Sequence, residues 1–474
     1  MKAILTLLLF ILYASRLSAQ SDCAVSLGAG GVENGTKNSY ACAVMQDGTV
    51  WCWGINNYGQ LGNGTLTDSD IPVQVSGITN AIKVSGGLHH TAALLSDGTV
   101  KSWGKNDKGQ LGDGSTNNSL IPVSVPSISN AIDIVTGDHH TAVLLPDGTV
   151  KGWGWNQQGQ LGNGANSSIN TTPVQAIGIS TAIKISARFR STYVILKDST
   201  IRCWGENLAG QLGNSTNVNS SLPATVVGIT TAIFIDAGDH HAMAILADGS
   251  IRAWGRNVEG QLGNGNNTNT NLPVTVTGIN NAKTITGGDI HACALLSDGS
   301  IKCWGRNTGG ELGNGASGTQ SNVPVSVLNI SNAVEIVCGG MSSYALLADG
   351  TVKSWGHDST GTLGNGPPRI NSSTPVQVSG ILCTKTAINE LITGNPSRLD
   401  IYPNPGNGIF TIASGTTMES ITLFNVMGEK VYEKKTNQTS INIDLSEYTQ
   451  GIYITTVKYN NGFIQNARLL LLNN

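Results

Sequence analysis

Four histidines, His90, His140, His241 and His291, recur at one position of a repeated segment, and His89, His139 and His240 precede three of them. Imidazole is a common metal ligand and proton carrier, so chemistry would be sought here first. Two features point away from a metal centre. A residue that recurs once per repeat is spread around the molecule rather than gathered at one point. Adjacent residues in a strand also face opposite sides of a sheet, which splits each His-His pair. The series therefore reads as structural histidine, hydrogen-bonded beside a Trp-Gly strand, and no metal or cofactor is expected. Seven Trp-Gly pairs invite a sugar-stacking reading, yet their strict phase argues for packing between repeats. The glycine-rich loops lack a Walker lysine, and no nucleophile elbow, H-E-x-x-H helix or EF-hand loop occurs. Asp and Glu are scattered along the chain, with no spacing that pairs them for hydrolysis.

The elements that must position these residues follow from the repeat. Trp53, Trp103, Trp153, Trp204, Trp254, Trp304 and Trp355 are 50 or 51 residues apart. That period fits one four-stranded propeller blade, so seven copies predict an all-β, seven-bladed β-propeller. In the second copy, NAIKVSGG reads as the inner strand, its small residues suiting the crowded axis. HTAALLS, the Asp97-Gly98 turn and TVKSWG follow as a hairpin, because Gly accepts the positive φ of a tight turn. Asp-Gly recurs in six copies, and the fourth has Asp198-Ser199. The last strand carries a proline in every copy (Pro72, Pro122, Pro173, Pro223, Pro273, Pro324 and Pro375), which suits the outer edge of a blade.

The stretch GLHHTAALLSDGTVKSWGKNDKGQLGDG (Gly87 to Gly114) resembles the repeat of the regulator of chromosome condensation family nearly throughout. The resemblance covers roughly residues 23–383 and implies a seven-bladed propeller. It does not carry over the founding member's action on a small GTPase in the nucleus, because fold does not fix function and this chain is exported.

A propeller must join its first blade to its last. Cys23 precedes the first inner strand and Cys383 follows the last rim strand. In the repeat register Cys23 aligns with Thr79 and Cys383 with Asn80, which predicts a closing disulfide contributing on the order of 5 kcal/mol. Cys42 and Cys52, and likewise Cys293 and Cys303, face each other across an Asp-Gly turn. Each pair reads as a cross-strand disulfide or as two free, buried thiols. Cys203 and Cys338 have no matched partner.

Beyond the repeat the composition shifts. Residues 386–397 read as a linker, and residues 398–474 as alternating strands of a small β-sandwich. Tyr402, Pro403, Asn404 and Pro405 with Gly408 and Phe410, then the turn at Gly428, then Gly451 and Tyr453 after Asp444-Leu445-Ser446, resemble the C-terminal sorting domain of type IX secretion in Bacteroidetes-type bacteria. That resemblance implies handling by the secretion machinery and delivery to the exterior or the outer cell surface. Residues 1–20 agree, reading as a secretory signal peptide with Lys2, an apolar run and Ala19 before the cleavage point. The propeller is then expected over 21–385. No run is long enough for a transmembrane segment.

Net charge is −3 with no basic run, which disfavours nucleic acid as a partner. Departures from the repeat are the better clues to function. Blade four reads ARFRSTY where its neighbours read GDHHTAV, placing Arg188, Phe189 and Arg190 in a loop. Blade three has Trp155 in a loop, and blade seven has His357 and an insertion ending in Arg369. Exposed aromatic rings beside Arg are the composition of interaction hot spots, against the plain alternative of drift in a solvated loop. The expected function is a monomeric binding propeller that docks an extracellular protein or glycan, not an enzyme. The competing expectation is a glycan lyase or hydrolase using the axial funnel, which would require titratable side chains converging there.

Overall fold

Each repeat forms one antiparallel sheet whose four strands follow in chain order from the axis to the rim. The computed structural model describes residues 23–31, 39–381, 383, 399–402, 408–425, 430–449, 451–460 and 464–471. The expected signal peptide and linker, and Pro403, Asn404, Pro405 and Gly428, lie outside these residues. Every element among the described residues is a strand. None forms a helix long and apolar enough to cross a membrane. The chain divides into two compact units, residues 1–385 and 386–474.

Blade two shows how sequence makes a blade. Its strands are Ala81–Gly86, His90–Leu95, Val100–Gly104 and Ser119–Ser124. The second strand is buried at every residue, because blades stack on both of its faces. At the hairpin turn Asp97 Oδ1 accepts hydrogen bonds from Thr99 N at 2.9 Å and Thr99 Oγ1 at 2.6 Å. Gly98 takes φ +80° there, the left-handed region that glycine enters without steric cost. The rim strand holds Pro122, which has no inward donor to lose.

The tryptophans pack between blades, as their phase predicts, and each also donates to the preceding blade. Trp103 Nε1 donates to Gln60 O at 2.8 Å, Trp153 to Gln110 O at 3.0 Å and Trp254 to Gln211 O at 2.8 Å. Trp53 closes the series by donating to Thr362 O of blade seven at 2.9 Å. A second contact repeats at every seam. An alanine amide at or just before the start of each inner strand donates to the preceding blade's hairpin turn, as Ala81 N does to Gly48 O, and Ala24 N to Gly350 O makes the seventh.

A disulfide joins Cys23 to Cys383, with Cα atoms 4.4 Å apart. Its register corrects the expected one by one residue. Ala24 pairs with Met45 as Ala81 pairs with Leu95, so Cys23 stands where Asn80 stands in blade two, and not at Thr79. Both cysteines thus occupy one position. Cys42–Cys52 and Cys293–Cys303 are disulfides across their hairpins, while Cys203 and Cys338 are free and buried.

The C-terminal unit is a β-sandwich of one three-stranded and one four-stranded sheet. Phe410, Ile412, Ile421, Leu423, Ile443 and Val457 fill its core. Tyr453 is buried and donates from its hydroxyl to Thr449 O at 2.6 Å, whereas Tyr402 is exposed. Gly451 opens the long strand Gly451–Tyr459, and Gly408 lies just before Ile409–Ala413 at φ +140°.

Candidate binding face and axial plug

The repeated histidines point into the seams and are structural. His90 Nε2 lies 2.9 Å from Thr141 Oγ1, His140 Nε2 lies 3.0 Å from Thr192 Oγ1, and His291 Nε2 lies 2.9 Å from Ser343 Oγ. Each ring thus reaches a hydroxyl of the following blade. In blade one Tyr40 takes the position, donating to His90 O, with its hydroxyl 3.0 Å from Thr91 Oγ1. Where the following blade offers only alanine, Ala242 or Ala41, the position holds Ser191 or Ser342 instead. His241 is the exception, because the next blade presents Ala292, and neither ring nitrogen has a hydrogen-bond partner. Burial holds His90, His140, His241 and His291 at a pKa of about 3.

The preceding residues turn the other way. The backbone carbonyls of His89, His139, Arg190 and His240 accept from the amides that follow Trp-Gly, those of Lys105, Trp155, Glu206 and Arg256. These two ladder positions carry side chains that change from blade to blade and, together with Tyr58 and Phe189, form one contact set at blades one and two and another across blades three to five. Lys105 Nζ lies 4.8 Å from the Tyr58 ring centre, and Tyr58 stacks on His89 at 4.7 Å. His139 meets Trp155 edge-on at 5.6 Å. The Arg190 guanidinium lies 4.6 Å from the Trp155 ring centre and 4.5 Å from that of Phe189, and pairs with Glu206 at 3.3 Å. Phe189 contacts His240 at 4.4 Å, and His240 Nδ1 lies 3.6 Å from Glu206. Burial, then nearby cations, lowers His89, His139 and His240 to about 4, so all three are neutral at physiological pH. Burial raises the Glu206 carboxyl, against the pull of Arg190.

Of the candidate residues, Trp155, Phe189 and Arg190 come together in this cluster. Phe189 and Arg190 form a turn, as expected, and only Arg188 is moved out of the loop by the structure. Arg188 ends the inner strand Ala182–Arg188 and is buried, and Phe189, at φ +48°, is buried as well. Arg188 occupies the axial position held by glycine in the other blades. A Cβ at Gly87 would come within 2.3 Å of the His90 ring, and one at Gly137 within 2.1 Å of the His140 ring. Blade four has Ser191 in place of that histidine, which leaves space for a side chain at residue 188. Arg188 Nε pairs with Asp239 at 3.3 Å, and Nη1 donates to Cys338 O of blade seven at 3.4 Å. The guanidinium therefore spans the axis as a plug. Burial raises the carboxyls of Asp239 and Asp289, which share a hydrogen bond.

His357 and Arg369 are placed elsewhere. His357 is buried in blade seven, where its ring would meet a Cβ on Gly309 at 3.4 Å. Arg369 Nε pairs with Asp70 Oδ1 of blade one at 2.6 Å, a contact across the closing seam. Glu206 belongs to the cluster although sequence did not single it out, and so do His139 and His240, which sequence read as structural. The available signal was variability at the two positions flanking each buried histidine and Trp-Gly pair.

Arg188 also lines a cavity of about 510 Å³ along the axis. Titratable groups do converge there, as the enzyme alternative requires, but each is held by the wall. Lys83 pairs with Asp133, and Lys184 Nζ lies 4.9 Å from the Phe234 ring centre. Glu335 accepts from Ser26 Oγ and Leu27 N of blade one, and burial raises it to about 7. Asp236 accepts from Ser186 Oγ at 2.8 Å. His291, Cys293 and Cys338 form a buried group with metal-ligand chemistry, Cys338 also lining the axial cavity, but the Cys293 sulfur is already bonded to Cys303.

Comparisons with known proteins bear on both units. The model of the RCC1-like domain matches residues 131–395. Models of the regulator of chromosome condensation (RCC1) repeat match residues 47–94, 97–144 and 81–110. The secretion system C-terminal sorting domain matches residues 400–470, which indicates type IX secretion to the cell surface or exterior. Among curated proteins, ulvan lyase NLR42 of Nonlabens ulvanivorans is 37% identical over 77 residues, 16% of this chain and 14% of the lyase. The match thus spans about one seventh of that relative's length. Among solved structures, Prp20p of Saccharomyces cerevisiae superposes with a TM-score of 0.63 at 21% identity, covering 71% of this chain and 87% of that one. Human WBSCR16 gives 0.60 at 22% identity, covering 67% and 84%. At these identities the likeness establishes the fold.

Proposed function

Because this chain belongs to the RCC1-like domain family and carries a type IX sorting domain, we propose that it is an exported binding propeller, docking an extracellular protein or glycan on one face. The observation that carries this reading is the half-buried stack of Trp155 and Arg190 over buried Phe189, flanked by His139, His240 and Glu206. An aromatic ring with a guanidinium already seated on it offers a large contact area at low ordering cost, the composition of a hot spot. Two acidic groups near the axis support binding over catalysis, because Asp239 is matched to Arg188 and Asp133 to Lys83.

The test is a screen of the full chain against polysaccharides and surface proteins, followed by titration of any partner found. Trp155→Ala and Arg190→Ala are each expected to weaken binding by about 2 kcal/mol, roughly thirtyfold. Binding untouched by either variant would move the site off this face. The short likeness to ulvan lyase supports the second reading, a secreted glycan-active enzyme. Turnover of a bound polysaccharide would replace the first reading with that one.

A further inference from the structure

Blade six carries the hairpin disulfide Cys293–Cys303 at the register that Cys42–Cys52 occupies in blade one. The surroundings of the two differ. Cys338 ends the inner strand of blade seven (Ala333–Cys338) and is a buried free thiol. Its sulfur, the Cys293 sulfur and a ring nitrogen of His291 all lie within 4.8 Å of one another. The Ser343 hydroxyl sits among them, 2.9 Å from His291 Nε2, 3.7 Å from Cys338 Sγ and 3.9 Å from Cys293 Sγ. No other blade has a thiol at the position of Cys338, where Ala29, Gly86, Thr136, Ala187, Ala237 and Gly287 stand. Beside Cys42–Cys52 the matching seam residues are Gly86 and Thr91, and Tyr40 replaces His291.

We propose that Cys293, Cys303 and Cys338 form a thiol–disulfide exchange site that passes the blade-six staple to the seam between blades six and seven. The Cys338 proton leaves along the Ser343 hydroxyl, within reach of His291 Nε2. The Cys338 thiolate attacks the Cys293 sulfur, the Cys293–Cys338 bond forms, and the Cys293–Cys303 bond breaks. Its electron pair departs on Cys303, which takes up the proton. One disulfide and one thiol stand on each side of the step, so no external oxidant or reductant is consumed. The change is mechanical. The first bond ties two strands already joined by a tight turn and backbone hydrogen bonds. The second ties separate sheets that otherwise meet through side-chain packing and a few seam hydrogen bonds, such as Ala333 N to Gly299 O and Trp355 Nε1 to Glu311 O. Burial pushes the Cys338 thiol up to about 12, which makes exchange slow in the closed ring.

The test uses the full chain and peptide mapping under non-reducing conditions. Cys303→Ala leaves Cys293 and Cys338 as thiols, and oxidation with glutathione disulfide is expected to yield a Cys293–Cys338 linked peptide. Two separately alkylated or glutathionylated cysteines in a folded variant would overturn the proposal. Wild type incubated in a mixed glutathione buffer supplies the second arm, independent of how well that variant folds. There, alkylated Cys303 with the linked Cys293–Cys338 peptide is expected, and Cys338→Ala abolishes it while Cys42–Cys52 stays intact. Finding only alkylated Cys338 and intact Cys293–Cys303 in wild type would sink the proposal.

Discussion

Single residues hold the ring by reaching one blade ahead. A histidine or tyrosine of one blade meets a hydroxyl of the next, and that hydroxyl in turn donates backwards to a loop carbonyl. Thr91, Thr141 and Thr192 donate in this way to Gln60 O, Gln110 O and Gln160 O at 2.8, 3.0 and 2.9 Å. Between blades five and six the exchange is broken, because Ala292 leaves His241 without a partner. Ala292→Ser restores an acceptor for the ring and a donor to the Gln261 carbonyl. It is expected to raise stability by about 1 kcal/mol, read as a higher denaturant midpoint. An unchanged or lowered midpoint would show that His241 is satisfied in another way. The opposite facing of His89 and His90 was legible in sequence, because strand geometry alternates side chains regardless of context. The plug formed by Arg188 was not, since its carbonyl partner belongs to a residue 150 positions away across the axis.

At the scale of the element, blade four stands apart. Two of its turns place serine in the left-handed region, Ser199 at φ +61° and Ser215 at φ +65°. Equivalent turns in the other blades use glycine, such as Gly98 and Gly114 in blade two. Ser199→Gly and Ser215→Gly are each expected to stabilise the propeller by about 1 kcal/mol, checked by thermal melting of each variant. A loss of stability would mean that the serine hydroxyls hold these turns. Strand order, hairpins and rim prolines were legible because each rests on backbone geometry that a residue type reports directly. Arg188 was misplaced in a loop because its segment is loop-like in composition, whereas pairing with Ser191 fixes it as a strand end; Phe189 and Arg190 do form the turn. The cluster around Trp155 was only half legible. Trp155 and Arg190 depart visibly from the repeat, but His139 and His240 look like members of it.

Over the whole molecule, buried titratable groups bracket the stability from both sides. Seven of the eight histidines are held at about 3 or 4, against 6.5 when solvated. At these seven sites the unfolded chain therefore binds more protons than the folded one below pH 6.5, and their contribution to stability falls as pH drops from there towards about 3. Glu335 acts in the opposite sense. Its folded pKa of about 7 lies above the 4.5 of a solvated glutamate, so its contribution is full below pH 4.5 and is lost as pH rises to about 7. The histidines are thus expected to lower the melting temperature on acidification, against the opposing pull of Glu335 and of the raised Asp236, Asp239 and Asp289 carboxyls, while Glu335→Gln melts higher than wild type at neutral pH. A Glu335→Gln variant that melts no higher than wild type at neutral pH would contradict the burial of that carboxyl.

Cys23 and Cys383 stand at one register position, and the hydrogen bond from Ala24 to Gly350 repeats what every other seam makes. The propeller is therefore cyclic in all but one peptide bond. Its starting blade is an accident of where the chain was opened, not a property of the fold. A gene permuted to begin at another hairpin, with a single residue in place of the two cysteines, would encode the same contacts in a different order. Blade number, by contrast, is not free to drift, because the ring closes only when the last seam brings those two sulfurs together.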